Sequence, residues 1–338
     1  MIRWTLGVVV LATALPAAAE ADDDVRDPAT PALNSYLEAS YNHLSASDRF
    51  TSGLQDRVFD THQGLALQRF GMDAQFLPRQ GAGGRLDVDV GDDAIAMAPG
   101  ESYPGTAKLD LTQAYGQYSS GAVTVMAGKM ITLLGVEYLQ SPLDVNFSRS
   151  ILFGYATPFT HIGVRAAYSR SDALTLYLGV NNGWDHMPGS NPTRTLELGL
   201  VATPAPAWNL YATSYIGREH TGAVPDTGPE GLRSVLDASR QGTASWSGKV
   251  AYATYRFDDR WKLSLRTERF ADRDGYRTGV VQNWREWTGT LGWTMNRHLE
   301  ARAEVRGDTS DAAAFRNATG TGALHNQRSV ALQLLWTL

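Results

Sequence analysis

Apolar and polar residues alternate with a period of two along most of the chain. In residues 299–306, Leu, Ala, Ala and Val occupy every second position, and Glu and Arg occupy the positions between them. Residues 174–180 and 196–202 likewise place apolar residues at every second position. Because successive side chains of a strand point to opposite faces, each stretch predicts a β-strand with one apolar and one polar face.

Extended over the whole chain, this alternation predicts about 14 strands. Residues 45–108 show the weakest pattern, so the sequence is compatible with 12–16 strands. The strands are predicted at 34–44, 59–69, 84–91, 109–118, 122–130, 160–169, 173–181, 194–202, 207–216, 246–257, 260–270, 284–294, 297–307 and 327–338.

The connections between these strands alternate in length from residue 109 onward. Short connections of two to four residues interleave with long ones at 131–159, 182–193, 217–245, 271–283 and 308–326. Bacterial outer-membrane barrels have short periplasmic turns and longer extracellular loops. The predicted fold class is therefore all-β, a transmembrane antiparallel up-and-down β-barrel.

Aromatic residues near the short turns support the barrel interpretation. Each lies within about three residues of a short turn or of the C-terminus, and each shares the apolar face of its strand. Tryptophan and tyrosine prefer the headgroup layer, so we expect a periplasmic aromatic girdle. Its predicted members are Trp208, Trp261, Trp293, Trp336 and Tyr168.

Charged residues occupy the strand face opposite the apolar one, as Arg302 and Glu304 do in the stretch described above. An Arg or Lys that faced lipid near the middle of the bilayer would cost about 2–4 kcal/mol. Facing a water-filled lumen, the same side chain costs little. The sequence therefore predicts a wet lumen.

The first nineteen residues have the features of an export signal. Arg3 precedes an uncharged, mostly apolar stretch, and alanines at 17–19 supply a cleavage pattern. We expect residues 1–19 to be a signal peptide, 20–33 a short periplasmic segment, and 34–338 a single barrel domain. No later stretch of about 20 apolar residues predicts a spanning helix.

Composition excludes several other classes of protein. The 338 residues include 30 Lys plus Arg, 35 Asp plus Glu and no Cys, for a net charge of −5. This balance argues against a nucleic-acid binder. Without Cys there can be no disulfide, thiolate metal site or Cys nucleophile. The seven histidines lack metal-binding spacing, so the sequence predicts no metal and no cofactor.

A set of short motifs runs in order along the chain from about residue 110. This set resembles the OmpL-like family of β-barrel porins and covers about two-thirds of the chain. The resemblance implies an outer-membrane channel and assigns no cargo. The motifs lie at 113–115 (QAY), 127–129 (AGK), 134–137 (LGVE), 146–150 (NFSRS), 158–165 (PFTHIGVR), 180–185 (VNNGWD), 266–270 (RTERF), 272–275 (DRDG) and 302–306 (RAEVR).

The long connection at 131–157 is the candidate functional segment. It is more apolar than an external loop requires, so we interpret it as a loop that folds into the lumen and narrows it. Its acids would face basic wall residues and create a transverse field. The alternative is a loop packed at the extracellular rim. The predicted constriction residues are Glu137, Asp144, Arg149, Arg165, Arg266, Glu268, Arg302, Glu304 and Arg306.

These features together predict a porin in the outer membrane of a Gram-negative bacterium. Small hydrophilic solutes or ions would diffuse passively through its charged lumen, and no catalysis is expected. The expected partners are outer-membrane lipid, lipopolysaccharide and the solutes, and a homo-oligomer is left open. The alternatives are an outer-membrane barrel enzyme of the lipase or protease type and a non-conducting, surface-binding barrel.

Overall fold

The computed structural model describes residues 2–13, 30–45, 57–60, 63–94, 108–183, 185, 194–205, 208–219, 245–316 and 323–338. The alternating stretches form long strands, as their pattern predicts. The strands are β1 (Ile2–Thr13), β2 (Ala32–Leu44), β3 (Gly64–Phe76), β4 (Gly81–Gly91), β5 (Leu109–Ser120), β6 (Val123–Ile131), β7 (Thr160–Ser171), β8 (Leu174–Asn181), β9 (Thr195–Ala205), β10 (Trp208–Glu219), β11 (Trp246–Arg256), β12 (Trp261–Asp272), β13 (Gln282–Asn296), β14 (Leu299–Ser310), β15 (Phe315–Arg316), β16 (Ala323–Leu324) and β17 (Asn326–Thr337).

From β2 to β10 and from β11 to β17, consecutive long strands pair antiparallel to one another, all within one 15-stranded sheet. The order is β1-β10-β9-β8-β7-β6-β5-β4-β3-β2-β17-β14-β13-β12-β11, so the last long strand pairs with β2. β15 and β16 form a separate two-stranded hairpin between β14 and β17. This arrangement confirms the predicted antiparallel up-and-down topology, with 14 strands besides β1.

The N-terminal strand β1 occupies one edge of the sheet, and β11 occupies the other. β1 pairs with β10 from Ile2 opposite Glu219 to Thr13 opposite Trp208. If residues 1–19 are removed as an export signal, β10 becomes the edge strand. An unpaired edge cannot be hydrated in lipid. We therefore expect β10 to pair with β11 in the exported chain and close a ring of 14 strands.

One predicted strand is misplaced. The strand predicted at 59–69 lies at Gly64–Phe76, and the strand predicted at 84–91 begins at Gly81. Asp60 has a left-handed backbone with φ of 57°, which interrupts an extended strand. A register shift then leaves Gln68 and Arg69 both buried, so the period of two is broken within β3.

The two faces of the sheet are opposite in character. Side chains such as Val330 and Leu332, on the outer face of β17, are more than half exposed. Charged and polar side chains on the inner face, such as Glu304 and Arg306 of β14, are 1–3% exposed. An exposed apolar outer face and a polar interior are what a barrel in lipid requires. In the described part of the chain, no helix is long and apolar enough to span a bilayer.

We expect an outward-facing cation at the middle of β17 to destabilise the barrel. Val330 lies six residues from Trp336, near mid-bilayer, and Val330→Arg should reduce the free energy of unfolding by about 2–4 kcal/mol because its charge would face hydrocarbon. Denaturant unfolding in lipid vesicles measures this difference. The control Val330→Leu keeps the apolar face and should unfold like the unaltered chain. Equal stability of the Arg variant would show that this face does not contact lipid.

Candidate functional site

The long connection between β6 and β7, residues 132–159, lies against the inner, polar face of the sheet. We call this segment the inner loop. Its two ends are joined where the Thr132 amide donates to the Phe159 carbonyl at 2.9 Å. It contains a 3₁₀ turn at Ser141–Leu143 and a π-helical turn at Leu152–Ala156. Apolar side chains such as Phe147 are buried, which gives the loop a reason to leave the solvent.

The first turn of the inner loop is fixed to β10. The Leu133 amide donates to the Tyr215 hydroxyl at 3.0 Å, and the Thr213 hydroxyl donates to the Leu133 carbonyl at 3.0 Å. The Leu133 side chain lies against Gly199 of β9, where a Cβ would come within 2.8 Å of it. The absence of a side chain at Gly199 thus makes room for the loop.

Carboxylates of the wall accept hydrogen bonds from the loop's backbone. The amides of Phe147 and Ser148 donate to Glu304 at 2.7 and 3.1 Å. The amides of Ile151 and Leu152 donate to Glu268 at 2.6 and 3.0 Å. Two acids of β12 and β14 therefore satisfy amides that the loop cannot bond internally.

Arginines of the wall donate to the loop's carbonyls. Arg306 donates to the Arg149 carbonyl at 2.7 Å, and Arg266 donates to the Ser148 carbonyl. Arg302 donates more weakly to the Ser141 and Asn146 carbonyls, at 3.3 and 3.4 Å. The wall thus offers acids to the loop's amides and cations to its carbonyls. This complementarity fixes the path of the loop across the lumen.

The loop's own charges are in direct contact with opposite charges. Glu137 lies 2.8 Å from Arg266, and it also accepts from the Ser150 amide at 2.9 Å. Arg149 lies 3.0 Å from Asp144 and donates to the Leu139 carbonyl at 2.9 Å. These acids and bases touch and are not separated by an aqueous gap.

Eight of the nine residues proposed from the sequence for the constriction therefore meet at the inner loop. Arg165 is the exception, because it pairs with Glu197 of β9 and reaches only the Ile131 carbonyl at the base of the loop. The structure adds partners that the sequence did not single out. These are Glu38, Arg57, Asp60, Arg69, Asp87, Tyr215, Glu286 and Asp308.

Some of these added residues follow from register. Glu286 stands opposite Glu268 in the β12–β13 pair, and Asp308 lies two residues beyond Arg306 on the same face. The parity of β13 and β14 could have identified both. Asp60 was predicted within the strand at 59–69 but lies in the connection before β3, so no pattern in the sequence indicated its contact with the Arg149 amide at 2.9 Å.

An apolar cluster covers the extracellular side of the inner loop. Phe59 packs against Phe153 and Phe159, with ring centroids 5.7 and 5.1 Å apart. Tyr155 packs against Trp284, which is buried at the lumenal face of β13. The π-helical turn is thus held between wall charges on one side and aromatic rings on the other.

The proposed girdle residues face outward where their side chains are described. Trp261 and Trp293 are neighbours across β12 and β13, and their rings are stacked at 5.5 Å. Trp336 and Tyr168 are also exposed on the outer face. The side chain of Trp208 lies outside the described part of the structure. The membrane-interface role of these residues remains a prediction.

The described residues include no grouping of three or more His, Cys, Asp or Glu side chains that could hold a metal ion. What the interior provides is a polar, charged bore with a peptide segment bound across it. Such an interior can select solutes by size and charge.

Comparison with known families agrees with this architecture. Residues 32–241 and 233–338 match the family described as "Putative beta-barrel porin-2, OmpL-like". The chain belongs to this porin family. Membership places it among the outer-membrane channels of Gram-negative bacteria. No curated protein matches the chain.

Several solved structures are similar to the chain at low sequence identity. The outer membrane channel DcaP of Acinetobacter baumannii is 14% identical, with a TM-score of 0.57, over 91% of this chain and 97% of that chain. An anion-selective porin from Comamonas acidovorans is 10% identical over 91% and 99%, with a TM-score of 0.47. OmpT of Vibrio cholerae is 10% identical over 91% and 98%, with a TM-score of 0.46. The likeness to DcaP shows the porin-barrel fold.

Burial changes the ionisation of acids in the connections of this porin. It raises the pKa of the Asp144 carboxyl to about 7, although Arg149 lowers this pKa and Glu137 raises it. Burial also raises the pKa of Asp60 to about 8 and that of Asp185 to about 7. An acid with a raised pKa stabilises the folded state at low pH, and that contribution is lost as the pH rises through the folded pKa.

We expect Asp144→Asn to weaken the pH dependence of stability. In the unaltered porin, Asp144 should reduce stability progressively as the pH rises from about 4 to about 7, because its ionised form is desolvated. Unfolding midpoints followed by tryptophan fluorescence across this range measure the effect.

The control is Asp311→Asn. Asp311 is exposed, and hydrogen bonds from Asn283 and its own backbone lower its pKa. The Asp311→Asn variant should lose stability between pH 4 and 7 as the unaltered porin does. If the unfolding midpoints of Asp144→Asn and of the unaltered porin changed equally with pH, the raised pKa of Asp144 would be contradicted.

Proposed function

We propose that this porin lets small hydrophilic solutes or ions diffuse passively across the outer membrane, through a lumen narrowed by the inner loop. The observation that carries the proposal is the anchoring of the loop to wall charges on β12 and β14, described above. A segment fixed in this way inside a water-filled bore reduces its cross-section. The mechanism requires no energy coupling and no catalysis.

The inner loop is packed on one side and open on the other. The residues that bond to the wall are almost fully buried, whereas Tyr138 and Leu143 are 40% and 54% exposed. Lumenal side chains of β12, β13 and β14 are buried at the level of the loop. On the opposite wall, Tyr115, Tyr177 and Tyr211 are only partly buried. We infer that the passage runs between the exposed loop face and strands β4–β10.

The remaining expectations concern export and partners. We propose that residues 1–19 direct export and are removed, and that the outer face of the barrel contacts outer-membrane lipid and lipopolysaccharide. The exposed apolar outer face is also a surface through which copies of the chain can associate into a homo-oligomer. A non-conducting barrel is the second candidate, because the constriction residues are so tightly packed. Conductance measurements distinguish it from a channel.

We expect deletion of residues 138–147 to raise the single-channel conductance markedly, because it removes the part of the inner loop that crosses the lumen. Glu137 already bonds to the Ser150 amide, so the chain ends left by the deletion lie close together. Planar-bilayer recording measures the change. Unchanged conductance in a correctly folded variant would contradict the role of the loop.

A double substitution tests the same role of the loop if the deletion variant does not fold. Tyr138→Ala combined with Leu143→Ala removes only exposed side chains and leaves the bonded backbone in place. It should raise the conductance by a smaller amount than the deletion does. Silence of the unaltered porin at high protein density would instead support the non-conducting barrel.

Cysteine labelling should locate the passage, because the chain has no native Cys. Tyr177→Cys should react with a charged methanethiosulfonate reagent, and the conductance should fall as the adduct enters the passage. Ser264→Cys is the matched control, since Tyr177 and Ser264 each lie three residues from the periplasmic start of their strand. Ser264 is fully buried on the packed side and should not react. Equal reaction at both positions would argue against an eccentric passage.

A further inference from the structure

Three cations stand side by side on the outer face of the barrel. Lys249 of β11 is opposite Arg269 of β12, and Arg269 is opposite Arg285 of β13. We call these three residues the basic row. Residues directly opposite each other in an antiparallel pair have Cα atoms about 4.5–5.5 Å apart. The three charges therefore occupy one small patch, and Arg328 of β17 lies nearby, across Gly307 from Trp287.

The basic row points away from the lumen. Lys249, Arg269 and Arg285 are all exposed, and their neighbours along β12 and β13, Phe270 and Trp284, are buried inside. Arginines of the lumen are paired with carboxylates, as Arg306 is with Asp308 at 2.8 Å.

The basic row has no such pairing in the described part of the chain. Arg269 donates to the Asn283 amide oxygen at 3.1 Å, and Asn283 in turn donates to Asp311 at 2.7 Å. No carboxylate of the described residues forms an ion pair with any of the three cations. Like charges directly opposite each other destabilise a sheet. The row is therefore a cost to the isolated barrel that an external anion would remove.

The height of the basic row matches the outer headgroup layer. Arg269 and Arg285 each lie eight residues from the stacked pair Trp261 and Trp293 at the periplasmic end. Eight residues of a strand tilted by about 40° rise by roughly 21 Å. The apolar band of such barrels is about 25 Å tall. The row therefore lies at the extracellular boundary of that band.

An exposed indole lies directly below the basic row. Trp287 is two residues from Arg285 on the same outer face, and it is about half exposed. A Cβ at Gly307 would come within 2.5 Å of the Trp287 indole nitrogen, so the ring lies flat over this glycine. The ring adds apolar surface beneath the cations. The ring and the cations thus form one surface with an apolar lower part and a basic upper part.

We propose that the basic row binds the phosphate groups of lipopolysaccharide in the outer leaflet, with the acyl chains lying against Trp287 and the apolar face below it. Guanidinium groups bind phosphate through paired hydrogen bonds, and a lysine adds a point charge. Several adjacent cations suit a lipid that carries more than one phosphate. This inference rests on the lipopolysaccharide contact of the outer face proposed above and names its residues, and the site is separate from the channel.

The test compares lipopolysaccharide binding by two triple variants of the full chain, purified in detergent. Lys249→Gln, Arg269→Gln and Arg285→Gln together remove the basic row. Arg170→Gln, Arg260→Gln and Arg297→Gln remove the same charge from exposed positions at the periplasmic turns. Native mass spectrometry with added lipopolysaccharide measures the apparent dissociation constant. We expect the apparent dissociation constant to rise at least tenfold for the first variant and to change little for the second.

Further probes identify the ligand chemistry. Dephosphorylated lipopolysaccharide should bind the unaltered protein as weakly as the first variant binds the intact lipid. Phosphatidylglycerol and inorganic phosphate should compete poorly. Equal binding by both triple variants, or undiminished binding of the dephosphorylated lipid, would overturn the proposal. Equal competition by phosphatidylglycerol would also overturn it, in favour of a general anionic-lipid surface.

Single-channel conductance separates this proposal from the channel function. The basic row does not face the lumen, so its removal should leave the conductance unchanged while weakening lipid binding. A variant that retains full conductance has folded, which makes its lipid affinity interpretable. A barrel that binds lipopolysaccharide through the row but does not conduct would contradict the proposed channel only.

Discussion

Acidic and basic side chains of the barrel wall satisfy the backbone of a peptide segment lying inside the lumen, and the arrangement of the interior depends on this interaction. Glu268 and Glu304 accept from the inner loop's amides, while Arg266 and Arg306 donate to its carbonyls. A buried polar group without a partner costs free energy. The wall charges thus allow a loop without regular structure to occupy the centre of the protein, and they determine which of its faces remains open.

The lipid environment explains why these charges are inside. Outward positions must be apolar through the middle of the bilayer, so charge accumulates on the opposite strand face. There the acids and bases compensate one another in a network that includes Arg266, Glu137 and Glu286. Removing one partner of a buried ion pair destabilises the protein by more than the intact pair stabilises it, because the other charge is left buried without a partner. The network therefore gives the lumen a single defined arrangement.

The sequence was sufficient to predict the barrel because the membrane enforces a strict alternation in every strand. The sequence failed where that alternation stops, around Asp60 and in β3, where a register shift leaves Gln68 and Arg69 adjacent and buried. Wall residues such as Arg266 and Glu304 could be proposed from parity alone. Most of them do meet the inner loop, but the atoms to which each one bonds could not be predicted, because those contacts depend on how a segment without periodicity crosses the lumen. Arg165 has the right parity but lies at the base of the loop.

The distance along the chain between the inner loop and its partners has a consequence for assembly. The loop follows β6, but its amides bond to side chains 116 to 157 residues later, on β12 and β14. Contacts of such long sequence separation carry a large closure entropy and form slowly. The N-terminal half can therefore complete its hairpins and offer the loop partners such as Glu38 and Asp60, but the carboxylates of Glu268 and Glu304 are missing until the C-terminal strands form. Seating of the loop is then a late event in biogenesis, one that joins the two halves of the polypeptide.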